Sequence, residues 1–368
     1  MNNKTKIAIL KALKPLNPNV TRKIFNNVQI KPVHETISAG GQHSLGLKAD
    51  GTVICWGSNE YGQKNPPKYK NNNGQNKEHK FIAISAGINH SLGLKADGTV
   101  IGWGDNFEGQ INPQNDKFIA ISAGYDHSLG LKADGTVIGW GDNEFGQIKP
   151  QPNHKFIAIS AGGEHSLGLK ANGTVIGWGG NFEGQRKRQK HKFIAISAGA
   201  YHSLGLKKDG TVIGWGNNGY GQIKPQKDKF MPCSLCHAGE FHSLGLKADG
   251  TVIGWGDNDD GQINPQNDKF IAISAGYDHS LGLKADGTVI GWGSNQHGQI
   301  DPPSNTKFKV LKQINNKPKP KPKHYSEIEK NAMIEFNKET RLLRNTRNKD
   351  GKFRKLSENK KCLFVNLL

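Results

Sequence analysis

The sequence predicts an all-β protein: a seven-bladed β-propeller of short three- to four-stranded antiparallel blades, with a basic N-terminal segment and a basic, partly helical C-terminal tail. The first observation is a stretch of fifteen residues, HSLGLKADGTVIGWG, which occupies positions 90–104, returns unchanged from 127, 242 and 279, and has near copies from 43, 165 and 202. The second is its spacing, close to 37 residues, which is typical of solenoids and propellers. The third is the lack of a ten-residue helical pattern in the unit, which favours propeller blades over helical repeats.

Each unit contains three short strands. FIAISAG, HSLGLK and TVIGWG are rich in β-branched residues and are bounded by Gly, Asp and Asn, as strands between tight turns are. The turn KADGT leaves two registers open. A two-residue Asp-Gly turn pairs Leu94 with Ile101, whereas a three-residue turn with a glycine bulge pairs Leu94 with Val100. In both registers Asp97 and Gly98 are turn residues, so we interpret this aspartate as structural.

Large and small side chains alternate along these strands. Leu92 and Leu94 point to one side and Ser91 and Gly93 to the other, so the large side of one blade can pack on the small side of its neighbour. Burial of an indole ring is worth about 2–3 kcal/mol, so each unit depends on the next and the two ends must meet. We therefore assign the seven tryptophans to the core: Trp56, Trp103, Trp140, Trp178, Trp215, Trp255 and Trp292.

The ring has a candidate for its closure. Residues 306–314 (TKFKVLKQI) resemble the beginning of a blade but precede no histidine strand, so we expect them to pair with the first or the last blade. The predicted organisation is a basic N-terminal extension over 1–31, the propeller over 32–314, and a Lys-Pro spacer, a short helix and a basic tail over 315–368. We expect a monomer.

The formal net charge of +19 by itself suggests a nucleic-acid-binding protein. Residues 1–36 carry +6 and residues 307–368 carry +12, however, so the 270 residues between them are nearly neutral. No run of about 18 apolar residues is present, so no membrane-spanning helix is expected. Four cysteines, of which only two lie close in sequence, favour a reducing compartment. We expect an intracellular protein of the cytoplasm or nucleus, with a Lys-rich organelle-targeting peptide at the N-terminus as the alternative.

The repeat resembles a known family. ISAGxxHSLGL followed by WGxNxxGQ, as in Ile84–Leu94 and Trp103–Gln110, is similar to the repeat of the regulator of chromosome condensation family, whose fold superfamily also includes a bacterial β-lactamase inhibitor protein. The resemblance covers about residues 33–314 and implies the propeller fold, with short units nearer the compact blades of the inhibitor branch. It also implies nucleotide exchange on a small GTPase. No counterpart of the regulator's exchange wedge is identified, and the one long insertion, 64–80, is polar, Asn-rich and expected to be a flexible loop.

Comparison of the seven copies locates a candidate binding face. The hairpin turn hardly varies, whereas the two residues before each histidine and the loop after each tryptophan do, and antiparallel strands place both at one end of the ring. Aromatic residues among acidic ones suit a protein partner with a basic surface. Solvated loop residues without a function are the alternative. The candidates are Tyr61, Asp105, Phe107, Glu108, Tyr125, Asp126, Glu144, Phe145, Glu164, Phe182, Glu183, Tyr201, Tyr220, Glu240, Phe241, Asp259, Asp260, Tyr277 and Asp278.

No catalytic constellation is evident in the sequence. Gly109–Gly141 recurs unchanged as Gly261–Gly293, whereas catalysis usually needs a unique group of residues, so we predict no enzyme and no cofactor. The repeated histidines each lie in their own unit without a companion at ligand spacing, so we expect hydrogen bonds within the blade and no metal site. They are His43, His90, His127, His165, His202, His242 and His279.

The sixth unit departs from the pattern. Its first strand is replaced by FMPCSLCHAG, which places Cys233, Cys236 and His237 at the C-x-x-C-H spacing used for covalent haem attachment. A locally bulged strand is the interpretation that we favour, with a redox or metal role and haem attachment as alternatives.

The two ends suggest a second set of contacts. KPKPKPK (317–323) is expected to form an extended spacer, and a capping box from Ser326 to Glu329 predicts a helix after it. Clustered cations can bind nucleic acid, an anionic membrane or an acidic protein, and a solubilising tail is the alternative. The candidate cations are Lys317, Lys319, Lys321, Lys323, Arg341, Arg344 and Arg347 in the tail and Arg186, Lys187 and Arg188 on the propeller.

Two functions from different classes follow. The first is a non-catalytic scaffold that binds a protein partner through the variable loops. The second, implied by the resemblance, is a chromatin-associated exchange regulator of a small GTPase whose basic ends contact nucleic acid.

Overall fold

The structure, a computed structural model, describes residues 35–150, 152–225, 227–230 and 237–310. Seven three-stranded antiparallel sheets follow one another along them, and each repeat unit is one blade. The first strands are β1 (Ile37–Ala39), β6 (Ala83–Ala86), β9 (Ala120–Ala123), β12 (Ala158–Ala161), β15 (Ala195–Ala198), β18 (His237–Ala238) and β21 (Ala272–Ala275). The second strands are β2 (His43–Leu47), β7 (His90–Leu94), β10 (His127–Leu131), β13 (His165–Leu169), β16 (His202–Leu206), β19 (His242–Leu246) and β22 (His279–Leu283). The third strands are β3 (Val53–Gly57), β8 (Val100–Gly104), β11 (Val137–Gly141), β14 (Val175–Gly179), β17 (Val212–Gly216), β20 (Val252–Gly256) and β23 (Val289–Gly293).

The second strand is central in every blade, which confirms the predicted propeller and its blades of three strands. These ranges contain no helix, and none of their residues forms a segment able to cross a bilayer as one.

The hairpin turn adopts the longer of the two predicted forms. Leu94 pairs with Val100, and Lys95 N donates to Thr99 O at 2.8 Å, so three residues form the turn. Gly98 adopts a φ of 85°, a conformation that favours glycine. The side chain of Asp97 accepts a hydrogen bond from Thr99 N at 2.9 Å, which gives this aspartate a structural role.

The core lies between blades. Leu45 and Leu47 of the first blade form one apolar cluster with Phe81 and Trp103 of the second, and an equivalent cluster occupies each of the seven junctions. All seven indoles lie in these clusters and are only 3–5% exposed. Each is therefore buried against leucines of the preceding blade.

A phenylalanine ring completes each junction; six of the seven precede a first strand, and Phe308 follows the seventh blade. A Cβ atom on Gly93 would lie 2.5 Å from the ring of Phe81, so glycine is required where the ring crosses the strand. The role of these residues was not predicted, although five of the seven stand at the same position before IAISAG, which was the available signal. They are Phe81, Phe118, Phe156, Phe193, Phe230, Phe270 and Phe308.

Buried hydrogen bonds also cross each junction. The carbonyl oxygen of Gln63 accepts from Trp103 Nε1 at 2.8 Å and from Ser91 Oγ at 3.1 Å. His43 Nε2 lies 2.9 Å from the same Ser91 Oγ, which belongs to the next blade. The same contacts recur at all seven junctions. The prediction that each histidine bonds within its own blade is therefore wrong, because its ring extends across the junction.

The network determines the histidine tautomer. A carbonyl oxygen can only accept, so the single hydroxyl hydrogen of Ser91 goes to Gln63 O, and His43 Nε2 must be the donor to Ser91 Oγ. His43 Nδ1 is then unprotonated, and it is buried without a partner among the described residues. Burial, reinforced by the neighbouring His279 and His90, lowers the pKa of His43 to about 3.

The C-terminal segment closes the ring. Phe308 N donates to Gly287 O of the seventh blade at 2.8 Å, and Lys309 N donates to Leu47 O of the first blade at 2.7 Å. The ring of Phe308 covers Gly46 of the first blade, as Phe81 covers Gly93 in the second. The predicted closing segment thus pairs through residue 309, while residues 311–314 lie outside the described residues.

The insertion over 64–80 is not the flexible loop that its composition suggested. Strands β4 (Lys68–Lys70) and β5 (Asn76–Glu78) pair antiparallel as a hairpin. Asn71 Oδ1 accepts from the backbone amides of Asn73 and Gln75, so the asparagines that suggested a loop form its turn.

Candidate protein-binding face

The two variable segments of each blade lie side by side. The residue that follows Trp-Gly donates its backbone amide to the carbonyl oxygen of the residue directly before the histidine of the same blade, as Asp105 N does to Asn89 O at 2.9 Å and Asp142 N to Asp126 O at 2.8 Å. The same bond occurs in all seven blades. We call the end of the ring that carries them the loop face; it comprises the two residues before each blade histidine and the four residues after each Trp-Gly pair.

A buried glutamine supports each loop. Gln110 Oε1 accepts from Glu108 N at 3.0 Å, while the Gln110 carbonyl accepts from Trp140 Nε1 at 2.8 Å. The same residue therefore fixes the loop of one blade and the core of the next. The side chains at the tip, such as Phe107, vary on a rigid base, as binding loops on a scaffold commonly do.

Large aromatic side chains are exposed on the loop face. Phe107 is 84% exposed, Phe182 71% and Tyr220 54%, values that are unusual for groups of this size. They meet aromatic residues of adjacent blades: Phe107 with Tyr61 at 6.5 Å between ring centroids, Phe182 with Phe145 at 5.3 Å, and Tyr220 with Phe241 at 5.2 Å. The structure thus brings six of the predicted residues together as three aromatic pairs.

The loop face is strongly acidic. It contains no lysine or arginine and thirteen carboxylates: Glu60, Asp105, Glu108, Asp126, Asp142, Glu144, Glu164, Glu183, Glu240, Asp257, Asp259, Asp260 and Asp278. Partial burial, together with the charges of Asp260 and Asp257, raises the pKa of Asp278 to about 6. Burial and neighbouring carboxylates raise the pKa of Asp126 and that of Glu164 in the same way. A cationic partner would relieve this repulsion.

The opposite end, which we call the turn face, has a different pattern. The aspartate of the hairpin turn pairs with the lysine that precedes the next blade, as in Lys155–Asp134 at 2.8 Å and Lys307–Asp286 at 2.8 Å. Such exposed pairs contribute little to stability. Asn172 replaces the aspartate in the fourth blade, where Lys192 Nζ keeps the bond to Thr174 Oγ1 that Lys155 also makes to Thr136 Oγ1. Charges on the turn face are therefore mixed.

Three of the predicted residues line the centre of the ring and do not belong to the outer loops of the loop face. The first of the two residues before each blade histidine lines a narrow cavity of about 90 Å³ on the axis of the ring, and Tyr125, Glu240 and Tyr277 occupy this position in their blades. The rings of Tyr125 and Tyr277 lie 6.4 Å apart, although their blades are not neighbours. Sequence comparison recognised the variation at this position, but it gave no sign that these residues meet.

The remaining predictions fall on different regions. Arg186, Lys187 and Arg188 are exposed in the exit loop of the fourth blade, where the Arg186 side chain covers Gly177 as Ile111 covers Gly102. The tail cations from Lys317 to Arg347, the predicted helix, and Cys233 and Cys236 lie outside the described residues. His237 begins β18 and pairs with Leu244, the position that a serine such as Ser197 occupies in the other blades. Burial lowers the pKa of His237 to about 4. Within the described part of the chain, no three His, Cys, Asp or Glu side chains are grouped to bind a metal ion.

Comparison with known families identifies the repeat. The profile described as the regulator of chromosome condensation (RCC1) repeat matches seven times, over residues 35–63, 81–110, 118–147, 156–185, 193–222, 238–262 and 270–299. A comparison with curated protein sequences gives no match.

Solved structures share the fold at low sequence identity. The ectodomain of the Physcomitrella patens receptor kinase CR4 is 24% identical, with a TM-score of 0.59, 71% of this chain and 74% of that chain covered. The ectodomain of the Arabidopsis thaliana receptor kinase ACR4 is 22% identical, with a TM-score of 0.58 and coverage of 70% and 97%. Prp20p from Saccharomyces cerevisiae, described with its binding properties to Gsp1p and histones, is 19% identical, with a TM-score of 0.50 and coverage of 66% and 80%.

Proposed function

The chain belongs to the regulator of chromosome condensation (RCC1) repeat family, and on this premise we propose that its propeller is a non-catalytic scaffold that binds a protein partner with a basic surface through the loop face. One observation carries the proposal: exposed aromatic pairs stand among carboxylates at one end of the ring, whereas the other end carries mixed charges. Aromatic anchors supply much of the energy of protein interfaces, and carboxylates around them select a basic partner.

The first experiment asks which face is used. The triple variant Phe107→Ser, Phe182→Ser, Tyr220→Ser removes the three most exposed aromatic side chains of the loop face. The control variant Ile119→Ser, Ile194→Ser removes exposed apolar side chains, 37% and 40% exposed, whose backbone amides bond beside the hairpin turns. Both variants should unfold at the temperature of the unchanged protein, because the altered side chains contribute little to the core.

Affinity capture with a carboxylate-to-lysine cross-linker then identifies the partner. We expect a protein that the unchanged chain and the control retain and that the triple variant loses, with cross-links from its lysines to loop-face carboxylates. Equal retention by the triple variant, or cross-links confined to the turn face, would contradict the proposal.

A second candidate function is a chromatin-associated regulator that promotes guanine-nucleotide exchange on a small GTPase in the cytoplasm or nucleus. It is supported by the structural likeness to Prp20p and by the basic composition of residues 1–31 and 315–368. The expected result is faster nucleotide release from a small GTPase, together with salt-dependent DNA binding that weakens when Lys317, Lys319, Lys321 and Lys323 are changed to glutamine. Unaltered nucleotide release would leave the scaffold as the function.

A further inference from the structure

The cavity on the axis has walls whose backbone amides are already satisfied. Tyr277 N donates to Gly40 O at 3.0 Å and Glu240 N to Gly276 O at 3.2 Å, and corresponding bonds link each blade to the next around the ring. The other lining residues are mostly alanine and glycine. A ligand in the cavity would therefore be recognised by the few polar side chains that reach it.

Two of these polar groups are buried without a partner. Glu240 is only 6% exposed, and its Oε2 atom has no hydrogen-bond donor among the described residues. The hydroxyl group of Tyr125 is also buried, and it lies close enough to Glu240 to oppose the rise in the pKa of that carboxyl, but it makes no hydrogen bond of good geometry among the described residues. Buried polar atoms in proteins nearly always make well-formed hydrogen bonds to protein, ordered water or a ligand, so a carboxylate and a hydroxyl that make none among the described residues leave acceptors in this cavity that a ligand can use.

The surroundings select a cation. Asp278 and Asp257 add negative charge near Glu240. The rings of Tyr125 and Tyr277, which lie 6.4 Å apart and are inclined by 22°, belong to the lining of the cavity, and aromatic rings attract cations. A divalent metal ion would need several oxygen ligands at fixed geometry, and Glu240 is the one carboxylate among the residues that line the described cavity.

An ammonium group fits these acceptors better than a guanidinium group. Its three N–H donors equal the number of acceptors at this end of the cavity: Glu240 Oε2, Tyr125 OH and an axial glycine carbonyl, which has one lone pair left after it accepts a backbone amide. It is also a compact charge on a slender stem, which suits a narrow axial cavity. The planar guanidinium carries five donors, and most of them would face alanine and glycine.

We propose that the Glu240 end of the axial cavity binds a single primary ammonium group, presented as a lysine side chain by the protein partner of the loop face. The lysine as its source rests on the proposed function, whereas the ammonium site itself does not. Glu240 and Tyr125 are the groups that contact the ligand, and Tyr277 provides a ring beside it.

Binding depends on pH through Glu240. Burial raises the pKa of Glu240 to about 7, against the opposing effect of the phenols of Tyr277 and Tyr125 and with the support of Asp278 and Asp257. Burial also raises the pKa of Tyr125, Tyr277 and Tyr201, so these phenols stay neutral near pH 8. Only the carboxylate form attracts the cation, so binding should be stronger at pH 8 than at pH 6. The variant Asp278→Asn separates this effect from the titration of Asp278, whose pKa is about 6.

A small probe tests the site on the full chain without a partner. We would titrate n-butylammonium, n-butylguanidinium and neutral n-butanol at pH 8 and follow the ¹³C signals of the tyrosine rings and glutamate carboxyl groups. We expect saturable binding of n-butylammonium in preference to the other two, and a fall in the pKa of Glu240 when it binds. Absence of saturable binding, or equal binding of n-butanol or n-butylguanidinium, would overturn the proposal.

Three variants make the test specific. Glu240→Gln keeps the shape and removes the charge, and it should weaken n-butylammonium binding about tenfold or more, because a hydrogen bond to a charged group is lost. Tyr125→Phe keeps the ring, should weaken binding severalfold, and serves as the test if Glu240→Gln fails to fold. The control Glu78→Gln makes the same charge change on the exposed hairpin and should bind as the unchanged protein does. Unchanged binding by the Glu240 variant, or by the Tyr125 variant where that one serves as the test, would overturn the site.

The partner provides a separate readout. Glu240→Gln should lower the affinity of the captured partner at least severalfold, with the aromatic contacts intact. If n-butylammonium binds but the partner is indifferent to Glu240, lysine as the source is overturned and the proposed function stands. If no partner uses the loop face, the proposed function fails, and the result with n-butylammonium still decides the site.

Discussion

His279 Nε2 lies 2.8 Å from Ser44 Oγ and joins the seventh blade to the first across 235 residues of sequence. The contact is the same as the one between consecutive blades, such as His127 Nε2 to Ser166 Oγ at 2.9 Å. Ser44 Oγ also donates to Gln299 O at 2.8 Å, as the equivalent serines do elsewhere. The ring therefore has no terminal blade with an unprotected indole.

The closing contact should contribute as much to stability as an interior one. Ser44→Ala and Ser166→Ala each leave a buried histidine N–H without an acceptor, and each should lower the free energy of unfolding by about 1–3 kcal/mol. Urea denaturation of both variants measures this. The control Ser304→Ala, on an exposed turn, should be neutral. A far smaller loss for Ser44→Ala than for Ser166→Ala would show that the first and last blades are only weakly joined.

Phe308 should be as important as its interior equivalents. It comes from the segment after the seventh blade, yet it is 4% exposed and packs on Trp56 of the first blade at 5.6 Å between ring centroids. Phe308→Ala and Phe118→Ala should each cost about 3–5 kcal/mol, because each leaves a cavity beside an indole. Denaturation curves measure the loss of unfolding free energy, and the tryptophan fluorescence of each variant reports whether the neighbouring indole, Trp56 or Trp140, becomes exposed to water. A nearly neutral Phe308→Ala would mean that the segment does not close the ring in solution.

The axial glycines should tolerate no side chain. A Cβ atom on Gly124 would lie 2.4 Å from Gly162 O of the next blade and 2.6 Å from the ring of His127. Gly124→Ala should therefore cost about 3 kcal/mol, since backbone and a buried ring must both move. Gly219→Ala is the matched control, because its Cβ would meet only the Asn217 side chain at 3.5 Å. Comparable melting temperatures for the two variants would disprove the close approach of blades at the axis.

Stability should rise with pH from about 4 to 6.5. Burial lowers the pKa of the blade histidines to about 3 or 4, as for His43 and His127, whereas an unfolded histidine titrates near 6.5. The unfolded chain thus binds more protons in this range, and each proton contributes a slope of about 1.4 kcal/mol per pH unit. Five carboxyl groups whose pKa values are raised in the folded protein act in the opposite direction but are outnumbered by the seven histidines: Glu35, Glu240, Asp278, Asp126 and Glu164.

Unfolding free energies from urea titrations at pH 5.0, 5.5, 6.0 and 6.5 measure this slope. Replacing one blade histidine, His165→Asn, should reduce the slope by about one proton, while Ser304→Ala, which removes no titrating group, should leave it unchanged. A stability that is flat or falls between pH 5 and 6.5 would show that the histidines are not buried in the neutral form.

Much of the fold followed from local patterns. The alternation of Leu92, Gly93 and Leu94 predicted a strand with large side chains on one side and small ones on the other. In the structure, the two leucines pack against the next blade. The hairpin register could not be predicted, because both turns suit the sequence KADGT and only the pairing of Leu94 with Val100 distinguishes them. The insertion was mistaken for a loop, because asparagines are common both in loops and in the turn that joins β4 to β5.

The candidate site was predicted only in part. Variation among the copies identified the loops, and antiparallel pairing placed them at one end, where Asp105 N donates to the carbonyl oxygen of Asn89, the residue directly before β7. The bonds of His43 to Ser91 in the next blade could not be foreseen, because two residues 48 apart in sequence carry no signal of their contact.

The amino-acid sequence alone determined the blade: strands, turns and the burial of Trp103 follow from local alternation and from the need of each unit for a neighbour. Only the tertiary structure decided that Tyr125, Glu240 and Tyr277 meet on the axis. They belong to three different blades, and their distances depend on the number of blades and on the curvature that twisted sheets accumulate around a closed ring. A repeated unit specifies its own contacts and those with its neighbours, whereas the geometry across the axis belongs to the whole ring.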